Sequence, residues 1–209
     1  MVREIVYGTI NPGKIWEVGK HLQLQGISVI SLAELEITAN PREDGASLEE
    51  NAALKADVYR KFVPDKLLIT DDTGLEIDAL NGEPGIHVRR WRDGKNRMND
   101  EDMIKYCLER MVNVPYEQRG AQFRTVITLA IPGQPSYEYF EGVLRGIIQE
   151  QPADFRQEGF PFESLFFVPD WQMLLGEAHR LPQEEKDKYL SHRERAVQNA
   201  VPRIQELLQ

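Results

Sequence analysis

Two sets of carboxylates could do chemistry on a bound anion: Glu43, Asp44 and Glu50 in one stretch, and the adjacent Asp71-Asp72 in another. The apolar run Lys66–Thr70 leads straight into the pair, so a buried strand would deliver both charges to a sheet end, where ligands of open α/β sheets bind. Mg²⁺ takes a few carboxylates plus substrate phosphate oxygens, and a carboxylate there can also accept a proton from an attacking water. The plainer alternative is a solvated turn in which either aspartate caps Gly74. The segment Thr9-Ile10-Asn11-Pro12-Gly13-Lys14 lies between a strand pattern and a helix pattern. Such a loop directs backbone N–H groups at whatever sits over the helix N-terminus, and the helix dipole favours an anion. Thr9 and Asn11 add side-chain donors, and Lys14 adds a positive charge. The Walker A spacing is absent, and an ordinary turn with an N-cap accounts for the segment equally well.

Ser191-His192-Arg193, with Lys186 and Lys188 just before it, is a cationic cluster suited to clamping an anion, although Ser191 could simply cap a final helix. Gly159-Phe160-Pro161-Phe162-Glu163-Ser164 combines aromatic faces with a carboxylate. It could stack on a purine ring and bond its edge, or it could belong to the core. Arg89-Arg90-Trp91 is equally ambiguous. His21, His87 and His179 have no ligand-like spacing and read as structural or solvent-facing, and Cys107 reads as a small hydrophobe in a helix pattern.

The elements that must position these residues follow from hydrophobic period. Arg3–Tyr7 reads as a strand, Ile15, Val18, Leu22 and Leu24 mark one buried helix face, and Ile27–Ser31 reads as a second strand. That order predicts a parallel β-α-β opening. Ser47 with Glu50 forms a capping box for a helix reaching to about Phe62. Lys66–Thr70 reads as an apolar strand that runs straight into Asp71-Asp72-Thr73-Gly74, with the two aspartates at its exit and Leu75–Leu80 extended beyond. Asp100–Met111 is helical, Gln122–Ile131 and Tyr137–Ile148 are long β runs around Pro132–Ser136, and Gln183–Leu208 is mostly helical. The pattern is that of an α/β protein with an elongated mixed sheet.

The chain has 209 residues and a formal net charge of −9, with 41% hydrophobic and 28% charged residues. That balance excludes wholesale disorder and disfavours a nucleic-acid polymer as partner. A single nucleotide answers to local charge and stays open. One cysteine excludes an internal disulfide framework and a cysteine-based structural zinc site. No apolar run approaches the ~18 residues of a membrane span, and Met1–Tyr7 lacks the long apolar stretch of a secretory signal. The expectation is a soluble cytoplasmic protein.

In this order, the segments resemble the inosine triphosphate pyrophosphatase family. The resemblance is carried by Thr9, Asn11, Lys14 and Glu17; by Glu43-Asp44-Gly45-Ala46-Ser47-Leu48-Glu49-Glu50-Asn51-Ala52 through Lys55-Ala56; by Asp71-Asp72-Thr73-Gly74-Leu75; by Leu80-Asn81-Gly82-Glu83-Pro84-Gly85; and by Ser191-His192-Arg193. It implies an α/β fold with an elongated mixed β-sheet flanked by helices, one domain over residues 1–209 in two lobes around a central nucleotide cleft, and a homodimer. It also implies a Mg²⁺-dependent hydrolysis of non-standard purine triphosphates (ITP, dITP, XTP) to a monophosphate and pyrophosphate. By the same resemblance Asp72 is the general base and a metal ligand, with Asp71 and Glu43 as further metal carboxylates. Thr9, Asn11, Lys14 and Lys55 would hold the triphosphate, Thr73 would stand at a substrate-binding serine position, and Phe160, Phe162, Glu163, His192 and Arg193 would hold the base. The lysine preceding Ser-His-Arg could be Lys186 or Lys188, with Lys186 keeping the Glu-Glu-Lys context. The family's Gly-Phe-Gly-Tyr-Asp-Pro reads Gly159-Phe160-Pro161-Phe162-Glu163-Ser164 here, which loses a phenol hydroxyl and lengthens the carboxylate by one methylene. Two alternatives remain: the same chemistry on another altered or standard nucleotide, and a non-catalytic nucleotide-binding protein on the same fold.

Overall fold

The structure is a computed structural model describing residues 3–209; Met1 and Val2, part of the N-terminal expectation, lie outside the described residues. The chain divides into two compact units. The first comprises the chain up to Thr73, with Thr125–Gly142 and His192–Gln209; the second comprises Gly74–Arg124 and Val143–Ser191. The protein is a mixed α/β fold with an open sheet flanked by helices.

In the first unit β1 (Glu4–Tyr7), α1 (Pro12–Leu24) and β2 (Ser28–Ser31) form the expected parallel opening, with Glu4 opposite Ser28 and Tyr7 opposite Ser31. Helix α2 (Leu48–Tyr59) follows, and β3 (Leu68–Ile77) then pairs parallel with β1. The capping box is half formed. Ser47 Oγ accepts from Glu50 N at 3.1 Å, but the Glu50 carboxylate takes Ala46 N at 2.7 Å, which ties the preceding loop to the helix.

One expectation is overturned. The strand does not stop at Thr70; β3 is ten residues long and runs through Asp71-Asp72-Thr73-Gly74. Successive side chains of a strand point to opposite faces, and two separate apolar clusters record those faces. Ile5, Tyr7 and Ile69 pack with Val18 and Leu22 of α1 and with Ala196, Val197, Ala200 and Ile204. Val6 and Leu68 pack with Ala56 and Tyr59 of α2. Asp71 shares the parity of Ile69, and Asp72 shares that of Leu68, so the strand itself parts the two charges.

The second unit holds β4 (Pro84–Gly85), paired antiparallel with β3, and α3 (Asp100–Arg110). The strands β5 (Gly120–Ala130) and β6 (Tyr137–Ile148), like β3, contribute residues to both units. Beyond them come β7 (Phe166–Val168), β8 (Met173–Leu174), α4 (Leu175–His179) and α5 (Gln183–Lys186). Strand order is β2-β1-β3-β5-β6 in the first unit and β3-β5-β6-β7-β8 in the second. Trp91, Met103, Cys107, Phe123, Leu144 and Phe166 are among the buried residues of the second core. The chain ends in α6 (His192–Leu207), which returns to the first unit.

Candidate active site

The first unit gathers most of the charged residues singled out in the sequence. On one face of β3, Asp71 is 1% exposed and its carboxylate is saturated: Tyr7 OH donates to Oδ1 at 2.7 Å, while Lys14 Nζ (2.8 Å) and Arg193 Nε (3.2 Å) donate to Oδ2. Burial pushes this carboxyl up, but the Lys14, Arg193 and Lys55 charges overrule it and hold it well below the usual carboxylate range. Arg193 completes the array, donating to Glu17 Oε2 at 2.5 Å and Thr73 Oγ1 at 3.1 Å. Thr73 Oγ1 in turn lies 2.7 Å from Thr125 Oγ1.

On the other face the Asp72 carboxylate accepts from Asn51 Nδ2 at 3.0 Å and from Lys55 Nζ at 3.3 Å. Lys55 Nζ also bonds Asp71 O at 2.6 Å and pairs with Glu43 Oε1 at 2.9 Å, so one ammonium bridges Glu43 and Asp72. Burial lowers the Lys55 ammonium, yet Asp72, Asp71 and Glu43 together raise it above the ordinary lysine value. Burial raises Asp72 above the carboxylate norm despite Lys55. Glu43, partly exposed, is raised by burial but pulled below the norm by Lys55 and Lys14.

Local sequence sets this face. Asn51 Oδ1 accepts Gly45 N at 2.9 Å, which draws the Glu43 loop onto the first turn of α2. A Cβ on Gly45 would lie 2.8 Å from Glu50 Cβ and 3.1 Å from Asn51 N, so only glycine allows that approach. Asp44 and Glu50 are exposed and stand outside the cluster.

The Thr9–Lys14 loop is an N-cap, as its plainer reading has it. Asn11 Oδ1 accepts Gly13 N at 2.9 Å and Lys14 N at 3.4 Å, and Thr9 Oγ1 accepts Asn11 N. Pro12 has no N–H, so the backbone donors of the first turn are spent internally. The segment offers a phosphate the Lys14 ammonium and the Thr9 and Asn11 side-chain donors instead. Burial, with Lys55 and Arg193 nearby, lowers Lys14 below its ordinary value.

The remaining base-site candidates fall in two places. His192, 4% exposed, opens α6 in the first unit. In the second unit Phe160 is partly exposed, but Phe162 is 2% exposed and its ring packs against Trp91 (centroids 6.5 Å) and Phe123 (6.4 Å). It is therefore a core ring, not a stacking platform, because Trp91 and Phe123 take its contacts. Glu163 is buried, and its Oε1 lies 2.6 Å from His179 Nδ1. Of the two lysines before Ser191, Lys186 is buried with Nζ on Tyr189 O at 3.1 Å, and Lys188 is exposed.

Sequence reading did not assign functional roles to Tyr7, Glu17, Asn51 and His179. Glu17 was findable, since Lys14 and Glu17 sit three apart on one helix face. His179 had no sequence signal at all.

The first unit thus gathers cations and carboxylates on both faces of one strand of an open α/β sheet, the end of a sheet where ligands of such folds bind. The Ham1 family model matches residues 5–203 of the chain. The dITP/XTP pyrophosphatase of Bacillus subtilis is 36% identical over 197 residues, covering 94% of each protein. That of Thermus thermophilus is 37% identical over 194 residues, 93% of this chain and 88% of its own. A solved Ham1 protein from Coxiella burnetii superposes with a TM-score of 0.78 at 30% identity, over 98% of this chain and 99% of its own. The chain belongs to the Ham1 family.

Proposed function

We propose that this protein is a divalent-metal-dependent hydrolase that cleaves the α–β phosphoanhydride of ITP, dITP and XTP, releasing a nucleoside monophosphate and pyrophosphate. The hydrolase class rests on family membership and on relatives named dITP/XTP pyrophosphatases. The observation that carries the reading is the Glu43–Lys55–Asp72 bridge on one face of β3, with Lys14 and Asp71 on the other.

Glu43 and Asp72 fit Mg²⁺, because their oxygens already share one cation, the Lys55 ammonium, and are the hard donors that metal prefers. When bound, Mg²⁺ would neutralise phosphate oxygens and acidify a coordinated water. Asp72 accepts the proton of the water that attacks the α-phosphorus, with Asn51 fixing its orientation. Lys14 and Lys55 supply the positive charge that the phosphoanhydride oxygens need, and Thr9 and Asn11 orient them. Asp71 acts as the buried counter-ion that holds Lys14 and Arg193 in position. Glu163 accepts a hydrogen bond from the purine edge, and Phe160, His192 and Lys186 complete the nucleotide contacts.

The test is product analysis on a panel of nucleoside triphosphates with Mg²⁺, with and without chelator. Pyrophosphate and monophosphate from ITP and XTP are expected, and release of orthophosphate refutes the reaction. The altered 159–164 segment, with Phe162 in the core, favours a second reading in which another nucleotide is the preferred substrate; the same panel separates the two. Tight ITP binding without turnover would make the protein a binder. The proposal includes a cytoplasmic homodimer. Light scattering that reads the monomer mass of 24.1 kDa refutes the dimer. No helix among the described residues is long and apolar enough to cross a membrane.

A further inference from the structure

Tyr7 is the last residue of β1, and its side chain is buried in the core of the first unit with Val18, Leu22 and Ile69. In the parallel register Tyr7 stands opposite Ile69, and Asp71 lies two residues further on, on the same face of β3. The phenol spans that step and donates to Asp71 Oδ1 at 2.7 Å. The backbone that carries it is pinned. Gly8 N donates to Ile69 O at 2.8 Å, and a Cβ on Gly8 would lie 2.7 Å from both Thr70 Cγ2 and Tyr59 Cδ2. A packed ring on a fixed strand end therefore holds one oxygen of the Asp71 carboxylate.

The two lysines of the cluster differ in what holds them. Lys55 Nζ has three acceptors, Asp71 O, Asp72 Oδ1 and Glu43 Oε1, one for each of its N–H groups. Among the described residues Lys14 Nζ has one, Asp71 Oδ2, which leaves two N–H groups for a ligand. An ammonium held at a single point goes where that acceptor goes. The terminal torsion of an aspartate is soft, so the place of Oδ2 depends on what fixes the carboxylate plane. Arg193 Nε holds Oδ2 at 3.2 Å, and among the described residues the Tyr7 phenol is the donor on Oδ1. Without the phenol oxygen the plane is held from one oxygen only.

We infer that Tyr7 is a positioning residue for phosphate binding: through Asp71 it fixes the place at which the Lys14 ammonium meets the phosphate oxygens of the substrate. The inference rests on the proposed role of Lys14 toward the triphosphate. Asp72, with Asn51 on its Oδ2, lies on the opposite face of β3, so the phenol acts on binding and leaves the proton-accepting carboxylate as it is.

The experiment measures kcat and KM for ITP with Mg²⁺, and Kd for pyrophosphate by calorimetry, on the full chain and its variants. Tyr7→Phe removes one oxygen and keeps the ring. It should raise KM and the pyrophosphate Kd by about fivefold, while kcat falls by less than about twofold. In a Lys14→Met background the same substitution should add nothing, because the ammonium it positions is gone. A lower Tm with KM and Kd unchanged makes the phenol merely structural and overturns the inference. A Tyr7→Phe effect that simply adds to that of Lys14→Met overturns it too. If Lys14→Met alone leaves KM and the pyrophosphate Kd unaltered, the phosphate role of Lys14 fails and takes the inference with it. That failure shows in a different variant, so the two are distinguishable. A second arm needs no variant. The hydroxyl proton of Tyr7, followed by NMR in the wild type, should persist when pyrophosphate saturates the site, and its loss on binding overturns the proposal.

Discussion

Replacing Arg193 by methionine tests the charge array most directly. The guanidinium is 3% exposed and reaches Glu17, Asp71 and Thr73, so the substitution removes a buried cation from between two buried carboxylates. Removing one partner of a buried pair costs about 3–5 kcal/mol, because the remaining charge keeps its desolvation penalty. Asp71 retains Lys14 and Tyr7. With a urea slope of about 2 kcal/mol per molar, the unfolding midpoint should fall by about 2 M. The control is Arg203→Met, which breaks the half-exposed pair with Glu138 at 2.9 Å and should cost about 0–1 kcal/mol. The double variant Arg193→Met, Glu17→Met should recover part of the loss, since it removes the desolvation cost of the remaining carboxylate. A cost for Arg193→Met no larger than the Arg203→Met control would refute the reasoning.

Asp72→Asn should fold normally yet lose about 10²-fold or more in kcat, and unchanged turnover removes Asp72 as the proton acceptor. A Cβ at Gly142 would overlap His192 O and Ala196 N, whereas one at Gly19 meets nothing within 4 Å. Gly142→Ala should therefore destabilise by about 1–3 kcal/mol and displace the start of α6, while Gly19→Ala should stabilise α1 by about 0.5–1 kcal/mol; thermal melts giving the opposite order would contradict the packing of α6 on β6. Burial pushes the Cys107 thiol up to about 12, despite Arg119 nearby. The neutral thiol is favoured in the fold, so its contribution is complete below the unfolded value near 8.5 and is lost as pH rises toward 12. At pH 10 the loss is about 2 kcal/mol. A thiol reagent at pH 8 should label the folded protein slowly and the unfolded protein fully; rapid labelling of the folded protein would place Cys107 at the surface.

Local chemistry set much of what was legible in the chain. Ser47 before Glu50 starts α2, Asn11 before Pro12 caps α1, and the alternation of Ile5, Val6 and Tyr7 builds a strand buried on both faces. The types of residue gathered in the first unit were equally plain: the adjacent carboxylates Asp71-Asp72, the lysines Lys14 and Lys55, and a late Ser-His-Arg. Local reading failed at Asp71-Asp72, where two adjacent charges look like the end of a strand. A strand can carry them through its interior only if each meets opposite charge on its own face, and those charges come from afar. Lys14 and Arg193 reach Asp71 from 57 and 122 residues away, and Lys55 reaches Asp72 from 17. The pairing of Glu163 with His179 is likewise invisible in spacing, since it depends on how α4 packs on the turn before β7. Sequence fixes which charges exist and which segments can be helix or strand. Only folding brings enough countercharge to a buried site to offset its desolvation, and that decides that Asp71 meets Lys14 and Arg193 while Asp72 meets Asn51 and Lys55.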